Sequence, residues 1–207
     1  MVGAAFSGYL FGSMPTAYFL GRWLKGIDIR RVGARNMGSL NAFRVLGPFW
    51  GAVTFLVDAG KGVLAVAFAR WSNWSEAAIM LAGIMAVVGH NWPFFLGFKG
   101  GKGAATSLGV VAATQPPELT IVLAVVIACY ALTRNVSFGL GLAFVALPFL
   151  NIYLSKSPEL VTLSWALLAL MAMRLGTSTR EVYEAAQGSL RRFIHYTIFG
   201  VPEELRQ

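Results

Sequence analysis

Long apolar stretches separated by short polar or glycine-rich segments dominate the chain. They lie at residues 2–24, 48–69, 77–88, 104–114, 119–132, 136–154 and 160–173. An α-helix needs roughly 20 residues to cross a bilayer, whereas residues 104–114 give only about 17 Å of helix against a hydrocarbon core of about 30 Å. The pattern predicts an all-α polytopic membrane protein with about seven transmembrane helices, the fourth of which is short.

The composition supports a membrane location. Of the 207 residues, 57% are hydrophobic and 13% are charged, whereas soluble domains contain about 25% charged residues. This excludes a water-soluble globule and leaves no room for a second, soluble domain. The first stretch lacks a preceding basic residue and a cleavage site, so we expect a permanent span and not a signal peptide. We therefore predict one integral membrane domain over residues 1–207.

The basic residues predict the orientation in the membrane. When the seven spans alternate with the N-terminus outside, most of the 17 Lys and Arg residues fall on one side. Only Arg70 and Lys156 fall on the other, and Lys61 lies within a span. The positive-inside rule places the basic side, with the C-terminus, in the cytoplasm. The net charge of +8 is therefore explained by the orientation of the protein in the membrane, and no nucleic-acid partner is predicted.

Two further features limit the function. Residues 176–207 mix apolar and charged positions at helical spacing, which predicts an amphipathic segment on the membrane surface. The single cysteine, Cys129, and the two histidines, His90 and His195, exclude an intrachain disulfide and provide no ligand set for zinc. We predict no metal site and no cofactor.

The stretch FKGGKGAATSLG, residues 98–109, has the composition of a phosphate-binding loop. Lys99 and Lys102 stand among Gly100, Gly101 and Gly103, directly before the short fourth segment. Glycines allow backbone N–H groups to approach an oxyanion, a helix N-terminus adds unpaired donors, and lysine adds charge. The stretch is not a Walker A motif, because glycine and not Ser or Thr follows the second lysine. A flexible loop with two snorkelling lysines is the alternative.

A second basic stretch, GARNMGSLNAFRVLG, spans residues 33–47 and contains Asn36, Asn41 and Arg44. In a helix that begins near Met37, Asn41 and Arg44 would share one face. That face could bind a second anionic group. The same residues could instead cap a helix and mark the cytoplasmic side.

Four further polar residues lie within or at the ends of spans. Asp58 and Lys61, three residues apart in the second span, predict either a self-neutralising ion pair or the lining of a site. His90 ends the third span, where a histidine is either a helix-terminus or interface residue or a catalytic base. Ser137 begins the sixth span, where a serine usually caps the helix. No Ser-His-Asp order, nucleophile elbow or HEXXH motif occurs. The sequence thus favours chemistry by positioning, without a covalent nucleophile.

These loops resemble the bacterial acyl-phosphate-dependent glycerol-3-phosphate acyltransferases of the PlsY type. Residues 12–47 are similar to the first motif block of that family, and residues 89–109 match the second almost throughout. DAGKG at residues 58–62 and TRNVSFG at residues 133–139 give weaker support. The resemblance covers roughly the first 140 residues well and the remainder only by hydropathy.

The resemblance implies a seven-span enzyme of the bacterial inner membrane with its active site on the cytoplasmic side. It implies acyl transfer from acyl phosphate to the 1-hydroxyl of sn-glycerol 3-phosphate, and both substrates and membrane lipid are the expected partners. The residues carried over as catalytic are Lys102, Arg44 and His90. Those carried over as substrate-binding are Asn36, Asn41, Gly100, Gly101, Gly103 and Ser137. The acyl chain would enter sideways from the lipid.

The chain departs from the family pattern at three places. Ala34 and Leu40 stand where the family has serine and threonine, and MRLGTSTRE at residues 173–181 lacks the histidine and asparagine of the third motif. These departures favour, as an alternative, a non-catalytic relative that binds lipid or phosphate. A small transporter is a further alternative, because of the short fourth segment and the charges at Asp58 and Lys61. The clustering of basic residues at one membrane face argues against transport.

Overall fold

The computed structural model describes residues 1–201, with residues 175–181 described by their backbone alone. Within this range the protein is entirely helical and contains no strand, as predicted. The helices are α1 (Val2–Ser13), α2 (Thr16–Lys25), α3 (Ser39–Leu46), α4 (Pro48–Trp71), α5 (Glu76–Asn91), α6 (Ala104–Thr114), α7 (Pro116–Thr133), α8 (Val136–Tyr153), α9 (Pro158–Ala186) and α10 (Leu190–Phe199).

Helices α4 to α8 lie within a few residues of the predicted apolar stretches, and α6 coincides with the short fourth one. Three of these helices, α4, α7 and α8, begin with residues that are favoured at helix N-termini. Pro48 and Pro116 occupy first-turn positions, where the missing N–H costs no hydrogen bond. The Asn135 side chain caps α8 by accepting from the N–H groups of Ser137 and Phe138. Asparagine is favoured at this position because its oxygen satisfies otherwise unbonded donors.

The predicted first span over residues 2–24 is not one continuous helix, because the chain breaks into α1 and α2. Pro15 cannot donate a backbone hydrogen bond, and the residue before a proline is driven out of the helical region. Met14 accordingly adopts an extended conformation, with φ −64° and ψ 115°. Its carbonyl accepts a hydrogen bond from Lys61 Nζ. A residue from the second predicted span therefore stabilises the break in the first.

Four helical segments of the described chain are long and apolar enough to cross a membrane by length and composition. They are α4, α5 with the turn after it (Glu76–Leu96), α7 and α8, and α6 is a shorter apolar helix. The count of seven spans and the orientation of the termini therefore remain predictions. Helix α9 extends well past the predicted seventh span. The exposed α10 belongs to the predicted surface segment, of which residues 202–207 lie outside the described residues.

Helices α1 and α5 pack at very close range. Gly8 and Gly12 of α1 face the backbone of Ala82 and Ala86 of α5, and a Cβ at Gly12 would lie 1.9 Å from the Ala86 carbonyl oxygen. Small residues four apart on both helices let their backbones approach, which is a common way for helices to associate within a membrane. This contact holds the break after α1 against the C-terminal end of α5.

A second close contact joins α4 to α6. A Cβ at Gly62 would lie 2.3 Å from the Thr106 carbonyl oxygen, and one at Gly109 would lie 1.9 Å from the Ala59 carbonyl oxygen. The short helix α6 is therefore fixed through backbone contacts with the middle of α4. The buried hydrophobic core includes Val66 of α4 and Val110 of α6 and extends to larger side chains of α8 and α9, among them Phe144 and Leu167.

Replacing Gly62 by alanine should destabilise the protein, whereas the same change at Gly60 should not. Nothing lies within 4 Å of a Cβ built at Gly60, and alanine is intrinsically better than glycine within a helix. At Gly62 the added methyl must push α6 away, and overpacking of this kind costs about 1–3 kcal/mol. Thermal unfolding of the purified protein in detergent measures both. Equal melting temperatures for the two variants would contradict the close α4–α6 contact.

A buried polar cluster joins α7, α8 and α9 at the end away from the connection between α5 and α6, residues 92–103, which is called the glycine loop below. Lys156 Nζ lies 2.6 Å from Glu118 Oε1. Asn151 Nδ2 donates to Gln115 Oε1 at 2.8 Å and to Ser164 Oγ at 2.6 Å. Polar groups within a membrane protein must find partners inside the protein. The cluster therefore fixes how these three helices meet.

Candidate active site

The glycine loop leaves the end of α5, passes through a 3₁₀ turn at Phe94–Leu96 and folds back against α5. The Gly100 N–H donates to the Asn91 carbonyl at 3.1 Å, and the Gly101 N–H donates to the His90 carbonyl at 3.1 Å. A Cβ at Gly100 would lie 2.2 Å from the His90 carbonyl oxygen. Only glycine allows the loop to approach the end of α5 so closely.

Because the loop folds back against α5, its glycines have roles that differ from the predicted ones. Gly100 and Gly101 were predicted to offer their N–H groups to a phosphate, but those groups are already bonded to α5. The N–H groups of residues 103–106 form no backbone hydrogen bond within residues 1–201. They precede or begin α6, with Gly103 as its N-cap at φ +79°. The N-terminus of α6, beside Lys102, is therefore the part of the loop that can accept an anion.

Three buried polar side chains surround the start of α6. Asn91, Thr106 and Ser107 are fully buried. Within the described chain, both amide atoms of Asn91 and the two hydroxyl oxygens have no hydrogen-bond partner. The Asn91 amide oxygen lies close to Gly103, 2.7 Å from the place of a Cβ there. Buried polar groups are nearly always satisfied, so these atoms are suited to a polar ligand. Sequence reasoning did not select them, because no spacing distinguishes them from ordinary helix residues.

The other face of the glycine loop is held by Arg174 of α9. Its Nε donates to the Gly101 carbonyl at 2.9 Å, and its Nη2 donates to the Gly100 carbonyl at 3.0 Å. The guanidinium also lies 5.7 Å from the centre of the Trp92 ring. From the sequence, Arg174 was recognised only as one of the basic residues on the predicted cytoplasmic side.

His90 is buried between the glycine loop and the Asp58–Lys61 pair. Its Nδ1 lies 3.8 Å from Asp58 Oδ1, and its Nε2 lies against Gly101, 2.1 Å from the place of a Cβ. Asp58 forms an ion pair with Lys61 and accepts a hydrogen bond from Thr16 Oγ1 at 3.0 Å. The ion-pair prediction for these two residues is thus matched by the structure. The cluster lines a narrow cleft at the break between α1 and α2.

The connection between α2 and α4, residues 26–47, is the first loop along the chain and contains α3. Within it, Asn41 is buried and hydrogen-bonds to the backbone of the loop. Its Nδ2 lies within 3.1 Å of three carbonyl oxygens. They belong to Ile29, Val32 and Asn36. Its Oδ1 accepts from the Ala34 N–H at 2.8 Å. The Asn36 side chain likewise bonds backbone groups, accepting from the Gly38 N–H at 2.8 Å. Both asparagines therefore shape the loop in this structure.

The two loops lie against each other. Arg30 Nη1 donates to the Leu96 carbonyl at 3.1 Å, and the same guanidinium binds Asp28 with a shortest distance of 2.8 Å. That hydrogen-bonded pair lowers the pKa of the Asp28 carboxyl to about 2. Met37 of the first loop lines the cleft next to His90. The two basic stretches identified in the sequence therefore lie next to each other in the fold.

Arg44 and Ser137 both have exposed side chains. Arg44 is exposed on α3, whereas Asn41 on the same helix is buried, so the two do not present one common face. Helix α3 begins at Ser39, two residues after the predicted Met37. Ser137 is exposed in the first turn of α8, where Asn135 takes the capping role.

Comparison with known proteins identifies the family. The glycerol-3-phosphate acyltransferase family matches residues 2–183. The chain belongs to this family. The match includes residues 173–181, where the sequence alone showed no recognisable third motif. The resemblance predicted from the loops is confirmed.

Similar proteins carry the same description. The glycerol-3-phosphate acyltransferase 1 of Dehalococcoides mccartyi is 44% identical over 170 residues, which is 79% of this chain and 81% of that protein. That of Endomicrobium trichonymphae is 36% identical over 185 residues, covering 89% and 93%. Among solved structures, the glycerol 3-phosphate form of PlsY, an integral membrane glycerol 3-phosphate acyltransferase, superposes with a TM-score of 0.82 at 29% identity and covers 88% of this chain and 92% of that one. A lysophosphatidic acid form gives 0.79 at 28% identity, covering 88% and 91%.

Proposed function

We propose that the protein transfers an acyl group from an acyl phosphate to the 1-hydroxyl of sn-glycerol 3-phosphate, on the cytoplasmic side of a bacterial inner membrane. The products are lysophosphatidate and inorganic phosphate. Family membership and the likeness to the two PlsY structures support acyl transfer to glycerol 3-phosphate. The observation that carries the proposal is the unbonded N-terminus of α6 beside Lys102 and the buried His90.

The reaction needs little from the protein beyond positioning and charge. An acyl phosphate is an activated mixed anhydride, so the glycerol hydroxyl can attack its carbonyl carbon directly. The C–O bond to phosphate then breaks, and the hydroxyl proton passes to the phosphate of the acceptor or to His90. Holding both reactants in line and stabilising the oxyanion can supply most of the rate enhancement. The absence of a recognisable nucleophile motif agrees with this reaction.

The residues divide into those that hold anions and those that shape the site. Lys102 and the N–H groups at the start of α6 hold one phosphate, and Arg44, from the neighbouring loop, holds polar groups of a substrate. Asn36 and Asn41 keep the first loop in shape. Gly100 and Gly101 keep the second loop against α5. Ser137 is proposed as a substrate-binding residue because of the family resemblance alone.

An apolar groove next to the polar cleft fits the acyl chain. It has a volume of about 420 Å³ and lies between α1 and α4. Its lining residues are Phe6, Ser7, Leu10, Phe11, Met14 and Phe68. Met14 also lines the polar cleft that contains His90. The groove therefore leads from the reacting groups along the outer surface of α1, which is consistent with entry of the acyl chain from the lipid.

Placing a large side chain in this groove should change the preference for acyl-chain length. For Leu10→Trp we expect the ratio of activity with palmitoyl phosphate to activity with decanoyl phosphate to fall by about tenfold or more, since hydrophobic pockets discriminate by this amount per excluded methylene. Leu56→Trp is the control, because Leu56 is exposed on α4 outside the groove. Steady-state rates with both donors measure the ratio. An unchanged ratio in Leu10→Trp would place the acyl chain elsewhere.

The proposed activity is tested with purified protein in a lipidic medium. Phosphate release from palmitoyl phosphate is measured with and without glycerol 3-phosphate, together with lysophosphatidate formation. Release that depends on the acceptor and yields lysophosphatidate is the expected result. No release from well-folded protein would overturn the donor assignment. Uptake of labelled glycerol 3-phosphate into vesicles without product would indicate a transporter, and phosphate binding without either would indicate a non-catalytic relative.

The transporter alternative has little structural support. Asp58 and Lys61 are bonded to each other, to Thr16 and to the Met14 carbonyl. Both charges therefore serve to hold the break between α1 and α2. A pair that neutralises itself and bonds to the backbone is a structural element, since buried charges need such partners.

A further inference from the structure

We propose that Arg174 is a positioning residue of the anion site, which it serves by holding the outer edge of the glycine loop. The inference deepens the proposed function and rests on it. Arg174 lies in the stretch that shows no recognisable third motif, so no known motif assigns it a role from the sequence. It does not act on the substrate itself. It acts through the backbone of Gly100 and Gly101.

The hydrogen bonds show how the loop is clamped. The N–H groups of Gly100 and Gly101 bond the carbonyls at the end of α5. The carbonyls of the same two glycines bond the guanidinium of Arg174. Both glycines are therefore fixed on two sides, between α5 and α9. Glycine is the most flexible residue, so without such a clamp this part of the loop would sample many conformations.

The clamp also sets the direction of the next N–H group. A peptide unit is planar and trans, so its N–H points opposite to its C=O. The carbonyl of Gly101 and the N–H of Lys102 belong to one peptide unit. Because Arg174 binds that carbonyl, the Lys102 N–H must point away from Arg174. The guanidinium thus orients the peptide unit that leads into Gly103 and the start of α6.

An arginine is suited to this task in a way that lysine is not. Its two nitrogens reach two neighbouring carbonyls at 2.9 and 3.0 Å, and its planar fork presents several donors in fixed geometry. The guanidinium also lies over the Trp92 ring, which further fixes its orientation. A lysine would keep the positive charge but could not hold both carbonyls in this geometry. Charge and geometry can therefore be tested separately.

The chain provides a matched control in Arg70 of α4, which binds a backbone carbonyl at the opposite end of α6. Arg70 Nη1 donates to the Ala113 carbonyl at 2.7 Å, so Arg70 holds the C-terminal end of α6 as Arg174 holds the loop before its N-terminal end. Both contacts join an arginine to backbone carbonyls. Only the contact of Arg174 lies at the anion site. Loss of a structural arginine–carbonyl bond should affect both variants alike, whereas loss of loop positioning should affect only Arg174 variants.

The experiment compares Arg174→Gln, Arg174→Lys and Arg70→Gln with the wild type. Two quantities are measured for each: the thermal stabilisation by inorganic phosphate, which needs no turnover, and kcat and KM for acyl transfer. We expect Arg174→Gln to bind phosphate about tenfold or more weakly and to lose activity. Arg174→Lys should be impaired as well despite its charge, and Arg70→Gln should match the wild type. Added guanidinium should restore part of the activity of Arg174→Gln.

Each contrary result has a definite meaning. Phosphate binding by Arg174→Gln equal to that of the wild type would overturn the inference, and so would equal losses in the Arg70 and Arg174 variants. Full activity in Arg174→Lys would show that charge alone matters and would also overturn it. If the wild type binds phosphate but forms no lysophosphatidate, the proposed function fails, and the phosphate-binding comparison still decides the role of Arg174. A wild type that does not bind phosphate would overturn the inference. If Arg174→Gln does not fold, Arg174→Lys decides.

Discussion

Replacing Lys102 by alanine should reduce acyl transfer by at least about a hundredfold, while the same replacement of Lys99 should leave most of the activity. Both lysines lie in the glycine loop and carry the same charge. Lys99 is exposed, whereas Lys102 is partly buried and directly precedes Gly103, the N-cap of α6. Removal of one preorganised group that stabilises a developing oxyanion typically costs this much. Steady-state lysophosphatidate formation by the two purified variants measures the difference.

Two checks make this prediction specific. Melting temperatures close to that of the wild type would show that both variants are folded. Lys102→Arg, which keeps the charge on a longer side chain, should retain more activity than Lys102→Ala. Equal losses in the Lys99 and Lys102 variants would indicate general attraction of the anionic substrates by the loop, and would contradict a phosphate site at α6.

The second large effect is expected from Gly100→Ala. The added Cβ would lie 2.2 Å from the His90 carbonyl oxygen and 2.7 Å from that of Asn91. Neither backbone atom can move without disturbing the end of α5, so the loop itself must shift. A displacement of about 1 Å at a catalytic site can cost about a hundredfold in rate. We therefore expect a loss of that size, with phosphate binding weakened as well.

The control for Gly100→Ala is Gly141→Ala in α8, where nothing lies within 4 Å of the added atom. This variant should keep full activity and equal or greater stability, because alanine favours the helix. Full activity in Gly100→Ala would be incompatible with the close approach of the loop to the end of α5. Loss of activity together with a large fall in melting temperature would indicate that the fold, and not only the loop, depends on this glycine.

The pattern of apolar stretches was sufficient to predict the helical class and most helix positions. Helices α4 to α8 depend on local features that a sequence displays, such as long apolar runs and a proline or asparagine at the start of the helix. The break after Met14 was missed, although Pro15 was visible, because proline is tolerated in many membrane helices. What fixes the break here is Lys61, whose ammonium group accompanies Asp58 and bonds the Met14 carbonyl.

The sequence predicted which residue types form the candidate site better than it predicted how they are arranged. The sequence marked the glycine loop, Lys102 and His90, since glycine, lysine and a helix start together favour an anion site. It assigned Gly100 and Gly101 to the phosphate, yet their N–H groups bond α5. Asn41 was expected to face a substrate, but its amide holds the backbone of its own loop. Such assignments depend on which donors are already bonded, which no spacing in the sequence reveals.

The sequence by itself determined that this protein is a helical membrane protein of the glycerol-3-phosphate acyltransferase family, because hydropathy and a loop of characteristic residues are local properties of the chain. Only the tertiary structure decided which groups of that loop can bind an anion. Arg174 is more than seventy positions from the loop in sequence, and Asp58 reaches His90 from another helix. These contacts form because glycines let the helices pack with their backbones in direct contact. That close packing is a property of the folded structure.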